Sequence, residues 1–222
     1  MADSEHYANM LYAAGMFVPD PFIYFRVDGK SHAVFNDLEL DRAKKKLQEC
    51  RVISHSQCVE RLRRERVKRP GMAAVVALLL RELRVKKIFV HANFPIGLAK
   101  DLRNYRIKVR VRKGGIFPER EFKRADEVKK ISGALMMAEV GLAEGIQALK
   151  NAKILRDGKL SYHGVPLTSE KLRAIIDTAI LQAGGLANHT IVAGGRQGCD
   201  PHEQGHGPLR AHDLIILDVF PR

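Results

Sequence analysis

Residues 188–222 read NHTIVAGGRQGCDPHEQGHGPLRAHDLIILDVFPR, and the interpretation of the chain depends on this stretch. Two apolar runs, residues 189–193 and 214–220, are predicted to be strands on either side of a glycine-rich loop with three histidines. The second run contains Asp218, an acid that is costly to bury unless it binds a cation or a hydrogen-bond donor. Asp218 is therefore either a metal ligand or a structural carboxylate, and the residues alone leave both open.

The loop also contains a zinc-peptidase pattern, H-E-x-x-H, at residues 202–206 (HEQGH). In that pattern two histidines one helical turn apart bind one zinc, and the glutamate acts as a general base. His212 stands where a third ligand can follow, but the glycine of the extended pattern is replaced by Leu209. Glycines 205 and 207 and Pro208 oppose a helix. The sequence thus predicts a loop, and a helix over residues 202–206 would support the zinc hypothesis.

Composition sets broad limits on the class of protein. The 222 residues include 38 Lys and Arg against 25 Asp and Glu, and no apolar run approaches the ~18 residues of a membrane helix. The N-terminus does not resemble a signal peptide, so a cytoplasmic location is expected, with no membrane partner. Three cysteines without C-x-x-C spacing predict free thiols. Among them Cys199 is either a catalytic thiol or, as we prefer, a small residue in a turn.

The whole charge excess of +13 lies in residues 51–119, which hold 18 basic and 5 acidic side chains. Such a segment is a nucleic-acid footprint, a surface balanced by an acidic partner surface, or a solvated basic face, and we favour the last. Within it, residues 105–112 alternate apolar and basic side chains, which predicts a strand with a basic row. That row could follow phosphates, but an edge strand protected by charge shows the same pattern.

The remaining pattern predicts an α/β organisation with a boundary near Pro118. A hairpin is expected over residues 22–35, because Asp28-Gly29 supplies the positive φ angles of a type I′ turn. Residues 153–165 are predicted to be a loop. The remaining predicted elements are helices at 38–48, 57–67, 71–84, 121–150 and from Thr168 to Gly184, and strands at 50–55 and 87–92.

The order of these motifs resembles the creatinase, aminopeptidase P and prolidase family. The run IVAGG…DPHEQGHGPLRAHDLIILD resembles its glycine-bearing strand, histidine loop and "DLVLID" strand, with His202 sixteen residues before Asp218. Residues 12–15 (YAAG), the DPFIYF hairpin and residues 38–43 are similar to its N-terminal domain. Residues 124–143 are similar to the helix that opens its catalytic domain.

The resemblance implies an α/β creatinase-like N-terminal domain (1–118) followed by the first part of an α+β pita-bread catalytic domain (119–222). It implies a proline-specific metallopeptidase of the Xaa-Pro aminopeptidase or dipeptidase type, acting on proline-containing peptides and often homodimeric. By the same resemblance, Asp218 matches the first metal ligand and His202 the histidine that contacts the substrate or oxyanion, with His206 as the fallback.

The same family holds two divalent metals, Mn, Co or Zn, on five side chains. Here the usual glycine two residues after the first aspartate is replaced by Phe220, and four of the ligands have no counterpart in the sequence. We therefore expect an incomplete catalytic domain that binds no metal and is inactive alone. For such a peptidase nucleic acid is not expected as a partner. The alternative is a non-catalytic, peptidase-like binding module that uses residues 51–119 as its contact surface, and for that module nucleic acid stays open as a partner.

Overall fold

The computed structural model describes residues 1–222 and confirms the predicted hairpin. Strands β1 (Ile23–Val27) and β2 (Lys30–Phe35) pair antiparallel, with Val27 opposite Lys30. Between them Asp28 and Gly29 both have positive φ, 48° and 76°, as a type I′ turn requires. The twist of that turn matches the twist of the strands, so the local sequence alone determines the register of the hairpin.

The chain forms two units, Met1–Phe122 and Lys123–Arg222, and each is described by itself. In the first, β2 also pairs in parallel with β3 (Cys50–Ser54), and β4 (Lys87–Val90) pairs in parallel with β5 (Lys108–Val111) as a separate two-stranded sheet. The other elements of this unit are α1 (Ala8–Ala14), α2 (Asp37–Lys46), α3 (His55–Arg64), α4 (Met72–Glu82), α5 (Ile96–Asn104) and a 3₁₀ turn (Pro118–Glu121).

Helix α4 lies at the centre of the larger core of the first unit. Seven of its residues are buried, from Ala73 to Leu80, as the nearly continuous apolar sequence predicts. They pack with Ile23 and Val34 of the hairpin and with Leu102 of α5. The prediction of a buried helix at this position is confirmed.

The strand predicted over residues 105–112 is shorter than expected. Tyr105 is instead the C-terminal cap of α5, and Arg106 has φ 60°, which interrupts an extended chain. Strand β5 begins only at Lys108, and both Tyr105 and Val111 are exposed. The prediction of one continuous apolar face over residues 105–111 is therefore wrong, and it holds only for Ile107 and Val109.

The second unit begins with the longest helix, α6 (Ala125–Lys150). The prediction of a loop over residues 153–165 is wrong, because this segment forms a small three-stranded antiparallel sheet. The other elements are β6 (Lys153–Ile154), β7 (Leu160–Tyr162), β8 (Val165–Pro166), α7 (Ser169–Gln182), β9 (Ile191–Gly194), a second 3₁₀ turn (Gly195–Cys199) and β10 (Ile215–Asp218). No helix of the chain is long and apolar enough to cross a membrane.

Helices α6 and α7 pack closely because α6 has glycines where they meet. A β-carbon on Gly141 would lie 2.8 Å from Ile180 Cγ1, and one on Gly145 would lie 2.8 Å from Ile176 Cγ1. Both isoleucines are fully buried. The close approach expected of glycines on a packed helix is thus confirmed at these two positions, whereas Gly133 has open space around it.

A second close approach joins the loop after the 3₁₀ turn to β9. Gly205 has φ +83°, and a β-carbon there would lie 1.7 Å from the carbonyl oxygen of Val192. Next to it the Val192 amide donates to the Gln204 carbonyl at 3.0 Å. Only glycine fits at position 205, because both the backbone conformation and the space exclude a side chain.

We predict that Gly145→Ala destabilises the protein, although alanine favours a helix by about 1 kcal/mol. Overpacking against Ile176 outweighs that gain, and the free energy of unfolding should fall by about 1–2 kcal/mol. Gly133→Ala is the matched control and should raise it by up to about 1 kcal/mol. Urea unfolding followed by circular dichroism measures both. Equal stabilisation by the two alanines would contradict the packing described here.

We predict a larger loss for Gly205→Ala, at least about 3 kcal/mol, because the left-handed conformation and the clash with Val192 act together. Gly207→Ala is the control, since Gly207 also has positive φ (74°) but no neighbour within 4 Å. Its expected loss is about 1 kcal/mol. Thermal unfolding compares the two variants, and losses of similar size would show that the contact with Val192 is unimportant.

Candidate functional site

The candidate site lies on the hairpin-like pair β9 and β10 and on the loop between them. The strands pair antiparallel, with Leu217 opposite Val192 and Asp218 opposite Ile191. Because side chains alternate along a strand, Val192 and Leu217 face the core of the second unit, whereas Asp218 lies on the opposite face. Asp218 is the last residue of β10, and its side chain is exposed.

The expectation that Asp218 is buried is therefore wrong. Its position at the strand end and on the outer face leaves the carboxylate in contact with solvent, and it forms no ion pair with a basic residue of the chain. An exposed carboxylate needs no internal partner, so the cost of burial no longer argues that Asp218 is a ligand. What remains is its position, at the end of a strand and free to offer two oxygens.

The segment HEQGH does not form a helix. Residues 201 and 202 form a turn, and residues 203–206 are irregular. The carboxylate of Glu203 accepts a hydrogen bond from the Gly205 amide at 2.9 Å, so it stabilises the loop. The side chains of His202 and His206 are exposed, and His206 Nδ1 lies 3.6 Å from Glu203 Oε1. The hypothesis of a single-zinc helix is wrong for this chain.

Gln197 holds the backbone of His206 with both ends of its amide. Its Nε2 donates to the His206 carbonyl and its Oε1 accepts from the His206 amide, each at 3.0 Å. The backbone of His202, by comparison, donates one hydrogen bond, to Asp200 Oδ1 at 3.1 Å. Gln197 thus fixes the backbone position of His206 within the loop, while the imidazoles of His202 and His206 stay exposed to solvent.

Two charged residues of α7 hold the other side of the loop. The guanidinium of Arg173 donates to the carbonyl of Gln204 and, at 3.4 Å, to that of Gly205. The carboxylate of Glu170 accepts from the Gly207 amide at 3.0 Å. The hydroxyl of Thr168, with amides at the helix N-terminus and that of Gly207, lowers the pKa of Glu170 to about 2, because these donors favour the charged form.

Sequence reasoning misses Gln197, Arg173 and Glu170 as residues that position the loop. Arg173 and Glu170 lie more than 30 positions away along the chain from the atoms they contact. No local pattern marks such contacts. Gln197 is nearer, nine residues before His206, but a glutamine in a glycine-rich loop has no distinctive signature.

The structure brings together no group of three or more His, Cys, Asp or Glu side chains that could hold a metal ion. A pair of divalent cations requires several carboxylate or histidine ligands around both ions. Without such a group, residues 1–222 do not fit a complete two-metal site. All three cysteines are free, as expected, and Cys199 is an exposed residue at the end of the second 3₁₀ turn.

No protein-family model and no curated protein matches the sequence. Solved structures do match. The X-Pro aminopeptidase of Thermotoga maritima is 16% identical with a TM-score of 0.74, over 98% of this chain and 56% of that one. The Xaa-Pro dipeptidase of Bacillus anthracis is 13% identical with a TM-score of 0.75, over 97% and 54%. The prolidase of Pyrococcus furiosus is 14% identical with a TM-score of 0.67, over 96% and 55%.

At these low identities the similarity establishes the fold. It extends over nearly the whole chain, which itself spans about half the length of the structures it matches. The mixed α/β architecture predicted from the motifs is therefore confirmed. The chain has the fold of the creatinase, aminopeptidase P and prolidase family, the pita-bread peptidases.

Proposed function

We propose that this chain forms part of a proline-specific peptidase, of the Xaa-Pro aminopeptidase or dipeptidase type, which hydrolyses the peptide bond before proline. The observation that supports this most is the fold, which matches three kinds of X-Pro peptidase over 96% or more of the chain. Residues 1–118 then correspond to the creatinase-like N-terminal domain and residues 119–222 to the first part of the catalytic domain. A homodimer belongs to the same proposal.

Asp218 is proposed as the first metal ligand of this peptidase. Its exposure at the end of β10 supports the role, because carboxylate oxygens bind Mn²⁺ and similar hard cations and must be reachable by them. When bound, the two metals would polarise the scissile carbonyl and activate water. Since residues 1–222 offer too few ligands, the remaining ones must come from other sequence, and the chain alone is proposed to be inactive.

His202 is proposed to contact the substrate or the developing oxyanion. Its side chain is exposed on the loop that precedes β10, sixteen residues before Asp218. An imidazole N–H that is placed beside the reacting carbonyl can donate to the oxygen as negative charge develops there. His206 is the alternative, and its favourable feature is the backbone held by Gln197.

We predict that residues 1–222 alone gain no stability from metal. A ligand that binds only the folded state at 100 times its Kd adds about 2.7 kcal/mol, so a real site would be visible in thermal unfolding. With about 1 mM MnCl₂ the unfolding midpoint should move by less than about 1 °C, because no ligand cluster exists. A rise of several degrees that is lost in Asp218→Asn would show that the chain holds a metal by itself.

We predict proline-specific hydrolysis by a longer form of the protein that includes residues 1–222. With Mn²⁺ it should cleave Xaa-Pro dipeptides or Xaa-Pro-Xaa tripeptides and leave Xaa-Ala analogues largely intact. Asp218→Asn should lower kcat by at least about 100-fold, the equivalent of a few kcal/mol of lost transition-state stabilisation. Asp213→Asn, an exposed acid five residues earlier, is the matched control and should retain most of the activity.

The same assay assigns the histidine. His202→Ala should lower kcat by roughly 100-fold or more, as removal of an oxyanion donor does, and His206→Ala should have a smaller effect. The opposite ranking would give the role to His206. A longer form that folds and yet cleaves no Xaa-Pro bond at any metal concentration would refute the proposed function.

A further inference from the structure

Ion pairs neutralise only part of the basic excess of residues 51–119. On α3 and α4 part of it is neutralised, since Arg61 pairs with Glu82 and Arg81 with Glu65. These two glutamates are among the five acids of the segment. None of Lys87, Lys108 and Arg110, on β4 and β5, forms an ion pair. All three basic side chains of the two-stranded sheet are therefore unpaired.

Strand pairing places these cations together on one face. Lys87 lies opposite Lys108, and Phe89 lies opposite Arg110. Between them Ile88 of β4, opposite Val109, packs on the core of the unit. Since side chains alternate along each strand, Lys87, Phe89, Lys108 and Arg110 all point away from that core. We name these four residues the outer face of β4–β5, and all four are exposed.

The arrangement is electrostatically unfavourable without a partner. Paired strands are about 4.8 Å apart and alternate residues about 6.7 Å apart, so Lys108 falls within one Debye length, about 8 Å at physiological salt, of both Lys87 and Arg110. No carboxylate pairs with any of them, and like charges on directly opposite residues weaken a sheet. A bound polyanion would relieve this repulsion.

Phe89 distinguishes among the roles that a basic face can have. Phe89 is 59% exposed beside the three cations, and the ammonium of Lys87 lies 4.8 Å from its ring centroid. Charges that merely protect an edge strand from aggregation do not call for an exposed aromatic ring, which works against that protection. A solvated basic face does not call for one either.

An exposed aromatic ring among cations is the combination that binds single-stranded nucleic acid. Cations follow the phosphates, and unpaired bases stack on the ring. Acidic peptides satisfy the charge but offer no flat surface for the ring, and duplexes hide their base faces. We propose that the outer face of β4–β5 binds single-stranded DNA or RNA, in a sequence-tolerant manner. This goes beyond the proposed peptidase and uses none of its residues.

Fluorescence anisotropy of the 222-residue protein with a labelled oligothymidine of about 12 nucleotides tests this proposal. We expect a Kd on the order of 10⁻⁵ M near physiological salt, and a log K that falls with log salt at about −0.7 per phosphate contacted. Lys108→Gln/Arg110→Gln should weaken binding and reduce that slope by about 1.4. Arg63→Gln/Arg64→Gln on α3 removes the same charge from exposed residues outside the face and should change both far less.

Substitutions of Phe89 distinguish base stacking from simple charge attraction in the same binding assay. Phe89→Leu keeps all charges and should weaken binding by about 5- to 100-fold at an unchanged salt slope, whereas Phe89→Trp should retain it. Because residue 89 is exposed, the thermal midpoints of both variants should remain near that of the parent. Several outcomes would overturn the proposal: no binding, equal binding of polyglutamate or duplex, an unchanged Kd in Phe89→Leu, or an equal loss in the α3 control.

Discussion

The close packing of α7 on α6 at Gly141 and Gly145 determines the arrangement of the second unit. The glycines let Ile176 and Ile180 approach the backbone of α6 directly. These isoleucines share a core with Val192 of β9, so the helix pair also supports the strand. The hydroxyl of Thr190 donates to Asp177 of α7 at 2.6 Å just before β9 begins, which fixes the start of the strand as well. The position of β9 in the candidate site thus depends on the contact between α6 and α7, which is distant from the site in sequence.

The same packing helps to hold the loop between β9 and β10, which contains His202 and His206 and is called the histidine loop below. Helix α7 presents Glu170 and Arg173 at its N-terminal end, and both bind backbone atoms of residues 204–207. On the far side Gln197 holds the backbone of His206. A loop that is held from two sides, with Gly205 pressed against β9, can keep its conformation without a helix or a metal ion. Its exposed imidazoles are therefore presented by a fixed backbone, which is what a positioning role for either histidine requires.

Local signals were sufficient for the parts of the fold that depend on neighbours in sequence. The Asp28-Gly29 turn is one example, and the Thr168 cap, which accepts from the Lys171 amide at 3.3 Å, is another. They were insufficient where strands are short, as in β6 to β8, which contain two or three residues each and show no alternation. The motif order predicts the fold, and Gly205, Gly207 and Pro208 predict the loop at HEQGH. The exposure of Asp218 could not be read from an apolar run, because burial depends on what covers the outer face of β10.

In the first unit, too, the sequence of one strand does not show what lies beside it. Alternating basic residues along one strand are consistent with edge protection, with a wet face or with a phosphate track, and from the sequence of β5 alone an edge strand or a wet face is preferred. The difference is made by β4, whose Phe89 lies across from Arg110 only after the two strands pair in parallel. Since β4 and β5 are joined through α5, their register is a tertiary property. The basic row of β5 supports a proposal of nucleic-acid binding only because Phe89 lies on the neighbouring strand. Phe89 belongs to a different unit from Asp218 and the histidine loop.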